Sequence, residues 1–392
     1  MSHERIHFLN GLRGILAVII FIHHFFYLFA PSFIFGGTFE QFSAGEWTAY
    51  RIIAYSPLNI LYNPGFAINF FFLLSGYVQS HRYFKTNDLV FVQKSFLKRY
   101  FRLCLPVLTI VLLVYLFHKL NLFNKSLIPV NALNNDWVKS MLPDSLSFLE
   151  VVNFGFTNFF EGNSRYYPVL WTMPIELYSS LMLFIIILVT HGLKNKTSLM
   201  VFWLFVQLFV LKAYYSALFS MGVLICLLDT QSLKFKSEFL SAPYKWICLL
   251  TGLYFSSYPF AGYENASRAS VYVLISFFDD FHHLLPYIAG NTLLFLVILK
   301  SQRIKKFLSK KPFMFLGNIS FMFYLLHFLI LFSFSAWLYN YFSKSLQQVS
   351  TVAITGTLSF IFISAFSFLL YKLIDCPVVK TCNVLVKKLF KN

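Results

Sequence analysis

The chain has 392 residues, of which 58% are hydrophobic and 12% are charged, and its formal net charge is +17. Soluble domains average about 25% charged residues, so charge this sparse excludes an ordinary soluble enzyme, and the apolar excess excludes a disordered or collagen-like chain; an all-α polytopic membrane protein is predicted. In a soluble protein the basic excess would point to nucleic acid, but between membrane spans it reports which side of the bilayer each loop occupies, and no nucleic acid is expected as a partner.

A membrane-spanning helix needs about 20 mostly apolar residues. In chain order the candidates are 14–30, 60–80, 103–117, 168–190, 198–211, 213–229, 245–261, 284–299, 313–334 and 351–374. These are about ten transmembrane helices, expected to surround a central polar cavity. Two of them, 103–117 and 284–299, are short, and only Lys212 separates 198–211 from 213–229, which reads as a bent hairpin or a re-entrant segment. With the N-terminus inside, 24 of the 32 Lys and Arg fall on the inner side and 8 outside, where nine acids also lie. Both termini are therefore expected in the cytoplasm. No small-x-small cleavage site follows the first span, which reads as an uncleaved anchor. None of the five cysteines falls in an outer loop, so no disulfide framework is expected. The outer loops 31–59 and 118–167 are long enough to cap a cavity and too short to be domains. The whole chain, 1–392, reads as a single membrane-embedded domain.

Ionisable groups inside spans are expensive and mark function by default. Here they are Arg13 at the inner end of the first span, His23 and His24 within it, Glu176 in the fourth span and His327 in the ninth. Arg13 and His24 are eleven residues apart, three helical turns plus about 20°, so they share a face about 16 Å apart. His23 falls about 80° off that face and reads as structural. Glu176 lies about 12 Å below the outer start of its span, and His327 about 21 Å above the inner start of its own. Three helices thus bring His24, Glu176 and His327 to similar depth. No metal-ligand spacing, Walker A, dinucleotide glycine pattern or HExxH motif is present. A phosphate-bearing ligand would be held by arginines, and the cluster Lys98, Arg99 and Arg102 before the third span offers forks for it, although it also serves as topogenic charge.

Several motifs stand in a fixed order. Asn10-Gly11-Leu12-Arg13-Gly14 precedes His24 with ten residues between Arg and His. Phe71 to Tyr77 reads FFLLSGY. Lys98-Arg99, Arg102 and Pro106 follow. Leu170-Trp171-Thr172-Met173-Pro174-Ile175-Glu176 places Trp five residues before Glu. Leu316-Gly317-Asn318-Ile319-Ser320 runs on to Tyr324-Leu325-Leu326-His327, and Asp375-Cys376-Pro377 closes the last span. Each motif is weak alone. As an ordered set over nearly the full chain, they resemble the acyltransferase-3 family of integral membrane proteins, which includes O-antigen acetylases and nodulation-factor acyltransferases. The family commonly has Asp where Asn10 and Asn69 stand, so no acid-base role is carried to these two positions. Its optional C-terminal soluble esterase-like domain is not expected here.

The resemblance implies transfer of an acyl group, usually acetyl from acetyl-CoA, to a hydroxyl of a cell-surface glycan such as lipopolysaccharide or of its lipid-linked precursor, in a bacterial cytoplasmic membrane. Acyl-CoA is then a donor substrate, and no permanently bound cofactor or metal is expected. In that frame His24 is the general base, since imidazole titrates near operating pH, or a transient acyl carrier. Glu176 orients His24 or binds the acceptor. Arg13, Arg99, Arg102 and Lys98 face an anionic donor from the inner side. Trp171 and Tyr178 form a sugar-stacking wall or are interface and core residues. His327 binds the acceptor or packs structurally. Ser75-Gly76 reads as a close helix approach rather than a nucleophile. Acylation of a small hydroxylated metabolite, and transport of a glycan intermediate without chemistry, are the competing readings.

Overall fold

The computed structural model describes residues 7–37, 48–128, 147–161, 166–230, 242–259, 270–278 and 282–390. All elements among them are helical. The long helices are α1 (His7–Phe29), α2 (Pro64–Thr86), α3 (Leu89–Lys119), α4 (Phe148–Glu161), α5 (Thr172–Thr190), α6 (Lys196–Phe205), α7 (Tyr214–Thr230), α8 (Ala242–Ser256), α9 (Leu285–Lys300), α10 (Lys311–Ile330), α11 (Ala336–Ser343), α12 (Gln348–Leu370) and α13 (Cys376–Leu389). Each predicted span overlaps one of these helices, and among the described residues five stretches are long and apolar enough to cross a membrane: His7–Phe29, Leu89–Lys119, Pro168–Thr190, Lys311–Ser343 and Gln348–Leu389. By length and composition the described residues thus support five of the expected spans, with shorter apolar helices at Phe148–Thr157, Lys196–Val210, Tyr214–Thr230 and Leu285–Lys300. The helix α2 has 23 residues but carries Asn69, Ser75, Ser80, His81 and Arg82, several of which face an internal cavity. Of the loops expected to cap that cavity, 38–47, 129–146 and 162–165 lie outside the described residues, and the described remainder contributes no side chain to the cavity wall.

Local sequence explains the boundaries. Asn63 caps α2 by accepting from the Phe66 N–H at 3.1 Å, with Pro64 in the first turn. At its other end Asn87 takes a left-handed conformation, φ 54°, and Asp88 then caps α3 through the Phe91 N–H at 2.9 Å. This tight Asn-Asp reversal lets α3 begin at Leu89, so the basic run 98–102 belongs to the same helix as the apolar span rather than preceding it. Lys212, φ 51°, reverses the chain between α6 and α7, with the Ala213 N–H bonded to the Gln207 carbonyl at 2.8 Å; the ambiguous pair of spans is a helical hairpin. Near the end of the bundle, Tyr371–Asp375 forms one π turn, closed by the Cys376 N–H on the Tyr371 carbonyl. Such turns re-aim side chains and occur often at functional sites.

In lipid there is little hydrophobic drive between helices, so close backbone approach does much of the packing. α1 runs along α10, α2 along α7 and α8 along α9. A Cβ on Gly76 of α2 would collide with the Phe219 carbonyl of α7, and one on Gly317 of α10 with the Asn10 carbonyl of α1. Gly76→Val is therefore expected to destabilise the fold by about 1–3 kcal/mol or more, because backbone rather than a flexible side chain blocks the space. The drop should appear as a lower melting temperature of the detergent-solubilised protein. Unchanged melting would contradict the tight α2–α7 contact.

Candidate active site

One chamber of about 600 Å³ opens among α1, α2, α3, α5, α10 and the segment from Tyr371 into α13. Its wall runs along α1 from Leu9 to Ile20, along α2 from Ile68 to Arg82 and along α10 from Gly317 to Tyr324, and most of its cations gather where α1 and α3 begin and α2 ends, the end of the bundle that carries the basic clusters. Arg13 comes from α1, Arg82 from α2, Arg99 and Arg102 from α3, and Lys380 from α13. Two carboxylates face them, Glu176 from α5 and Asp375 from the π turn. Cations outnumber acids, so the chamber is poised for an anion carrying several charges. Phe71, Phe72, Phe91, Phe321 and Tyr371 supply apolar wall between the charges.

Arg99 is 8% exposed. Its guanidinium forms an ion pair with Glu176 Oε1, and its Nε donates to Ser180 Oγ at 2.9 Å. Gln79 Nε2 donates to the same Glu176 oxygen at 3.3 Å. Glu176 thus binds α3 to α5, and its partner is Arg99, not His24. Arg13 is attracted by Glu176 and Asp375 and repelled by Arg102, so the four groups form one electrostatic cluster. Asn10 Nδ2 donates to Asn318 Oδ1 at 2.9 Å. These two asparagines line the chamber beside Arg13 and tie α1 to α10 as amides, without charge.

Neither His24 nor His327 is among the residues that line the chamber. The chamber wall reaches Ile20 on α1 and Tyr324 on α10. His24 follows Ile20 by four residues and His327 follows Tyr324 by three, so each is about one turn farther along its helix. His24 Nδ1 and His327 Nε2 are 2.9 Å apart. His327 Nδ1 lies 2.6 Å from the Tyr324 carbonyl oxygen. A carbonyl only accepts, so His327 Nδ1 carries a hydrogen, and in the neutral ring Nε2 is then the acceptor. It follows that His24 Nδ1 donates to it and that His24 Nε2 is the unprotonated nitrogen. His327 is 1% exposed, and Phe328 packs on His24 with ring centroids 4.5 Å apart. His23 is buried edge-on to His24, ring centroids 5.3 Å apart.

The remaining sequence candidates lie elsewhere. Lys98 donates to Asn383 Oδ1 at 2.9 Å and fastens α13 to α3; the next residue, Arg99, is turned about 100° around the helix and points inward. Tyr178 is 46% exposed on the outer surface, because two residues past Glu176 is about 200° around the helix. Trp171 packs against Tyr215, ring centroids 5.3 Å apart. Neither aromatic lines the chamber, so the expected sugar-stacking wall is not formed there. Conversely, Asp375, Tyr324, Thr172, Arg82 and Lys380 line it without having been given a role. The available signal for Tyr324 was its i−3 spacing from His327, which puts both on one helical face.

Long apolar helices around an internal charged chamber, with a hydrogen-bonded imidazole pair about one turn past its wall, are those of a multi-pass membrane protein. The chain belongs to the acyltransferase-3 family: the model described as an acyltransferase domain matches residues 6–372, nearly the whole chain and in agreement with the resemblance carried by the motifs. Neither a curated protein nor a solved structure matches it.

Proposed function

We propose that this membrane acyltransferase moves an acetyl group from acetyl-CoA to a hydroxyl of a cell-surface glycan or its lipid-linked precursor. The chamber faces the cytoplasm of a bacterial cell, both termini lie on that side, and the protein resides in the cytoplasmic membrane. One observation carries the reading: an imidazole pair whose bonding leaves His24 Nε2 as the unprotonated nitrogen stands about one helical turn past the wall residues Ile20 and Tyr324 of a cationic chamber. The anionic nucleotide part of the donor lodges among Arg13, Arg82, Arg102 and Lys380, where arginine forks match phosphate oxygens. The uncharged arm extends along the aromatic wall toward Ile20 and Tyr324.

His24 Nε2 then takes the proton of the acceptor hydroxyl as its oxygen attacks the thioester carbonyl carbon. The positive charge that develops on His24 is shared through Nδ1–H with His327 and through His327 Nδ1–H with the Tyr324 carbonyl. When the carbon–sulfur bond breaks, the thiolate recovers the proton from His24 Nε2, and the ester and free thiol leave.

The test is transfer of radiolabel from acetyl-CoA into glycan by membranes containing the protein. Covalent label in glycan is expected; movement of glycan across the membrane without label would mark a transporter instead. In the same assay Arg102→Ala, on the chamber wall, is expected to raise KM for acetyl-CoA about tenfold with little change in kcat. An unchanged KM would remove Arg102 from the donor site.

A further inference from the structure

The segment ahead of α5 is fastened to α10 on both sides of His327. Pro168 disfavours the helical conformation in the residue before it, and Tyr167 is extended, φ −159° and ψ 114°, where the 3₁₀ turn Pro168–Trp171 begins. Its side chain is buried, 1% exposed. Its hydroxyl oxygen accepts from the Leu329 N–H of α10 at 2.8 Å. A side chain bonded into the backbone ladder distorts a helix locally, and α10 passes into a π turn at Leu331–Ser335, two residues farther on. Before His327, the Tyr324 hydroxyl donates to the Val169 carbonyl at 3.0 Å and lies 3.1 Å from Thr172 Oγ1. Tyr324 also supplies the carbonyl that holds the hydrogen on His327 Nδ1. A second line of contact runs through Phe328. That ring stands edge-on to Tyr167, centroids 6.5 Å apart, and packs on both imidazoles, 4.5 Å from His24 and 5.0 Å from His327.

Resting on the reading of His24 as the base, we propose that Tyr167 is a positioning residue for the imidazole pair. It holds the α10 backbone beyond His327 through the Leu329 N–H, and it holds the Phe328 ring against both imidazoles. Tyr167 is not among the residues that line the chamber; it acts through His327 on His24. What it protects is the 2.9 Å bond between His24 Nδ1 and His327 Nε2. Hydrogen bonds weaken steeply as they misalign. The bond made by one imidazole nitrogen sets which nitrogen carries the hydrogen, so a loosened pair no longer keeps His24 Nε2 as the proton acceptor. The rate then falls while donor affinity holds, because the cations that meet the donor come from α1, α2, α3 and α13. Misplacing reacting groups by 1 Å can cost about 10²-fold in rate.

The experiment measures label transfer from acetyl-CoA, normalised to protein in the membrane, for Tyr167→Phe and Phe328→Leu, each alone and each combined with His24→Ala. Tyr167→Phe keeps the ring and removes the hydroxyl. It should lower kcat about 10- to 10²-fold with KM for acetyl-CoA unchanged. Phe328→Leu keeps the Tyr167–Leu329 bond and removes the ring on the imidazoles. It should show the same split, and it carries the test if the tyrosine variant does not accumulate. Neither change should lower the residual transfer of His24→Ala further, because a group that acts through His24 then has nothing to act on. Equal proportional losses with and without His24 would make Tyr167 purely structural and overturn the proposal. So would a normal kcat in both variants while His24→Ala is inactive, which leaves the reading of His24 intact. Near-normal transfer by His24→Ala alone would instead overturn that reading, and the positioning role with it.

Discussion

His24→Ala is expected to lower acyl transfer by about 10²–10⁴-fold, the usual contribution of a positioned general base, while the amount of protein in the membrane stays unchanged. His24 Nε2 is the unprotonated nitrogen at the end of a bonded series that runs through His327 to the Tyr324 carbonyl. No other ring in that series can replace it: His327 is 1% exposed, and both its nitrogens are engaged. Removing His24 leaves His327 Nε2 without this donor, at a cost of about 1–3 kcal/mol for a buried acceptor. His24→Asn separates the two effects, because an amide can donate to His327 but cannot serve as base. It should restore stability without restoring transfer. Transfer rates normalised to protein in the membrane decide the matter, and near-normal transfer by His24→Ala would remove the central claim.

The second large effect lies in the Arg99–Glu176 pair. Removing one partner from a buried ion pair costs about 3–5 kcal/mol, because the other charge remains without compensation, whereas removing both charges is often close to neutral. Arg99→Ala should therefore lower the melting temperature and raise KM for acetyl-CoA, since the guanidinium also lines the donor chamber. The double variant Arg99→Ala/Glu176→Gln should recover most of the stability and none of the donor affinity. A double-mutant cycle on both readouts measures this directly. If KM stays the same and only membrane insertion suffers, Arg99 is topogenic charge. If the double variant melts no higher than the single one, the pair is not what Arg99 stabilises.

The basic cluster on α3 illustrates what a linear reading can and cannot resolve. Its charge, its spacing and the presence of three cations were plain from residues 98–102. Their fates differ because a helix turns 100° per residue. Arg99 is buried against Glu176, Arg102 lines the chamber and Lys98 ties down α13. The same rotation sends Tyr178 to the outer surface while Glu176 faces inward. Helical phase was available in the sequence, but which side of each helix faces the chamber was not.

The sequence by itself determined the class of the molecule, the position of most of its apolar helices, the basic end of the bundle and the family, but not the helices Phe148–Glu161 and Cys376–Leu389. Hydropathy, charge and motif order are properties of residues taken along the chain, and they survive without knowledge of any contact. Tertiary structure alone decided the pairings. His24 and His327 are 303 residues apart in sequence, Arg99 and Glu176 are 77 apart, and Thr172 and Tyr324 are 152 apart. Span arithmetic put Glu176 level with His24 and His327, whereas Glu176 lies on the chamber wall paired with Arg99 and the imidazoles pair with each other about one turn past Ile20 and Tyr324; hydrogen bonds are short and directional, so depth does not choose partners. The packing of α1 on α10 and of α3 on α5 made that choice, leaving the arginines around the chamber and the imidazoles about one turn past its wall.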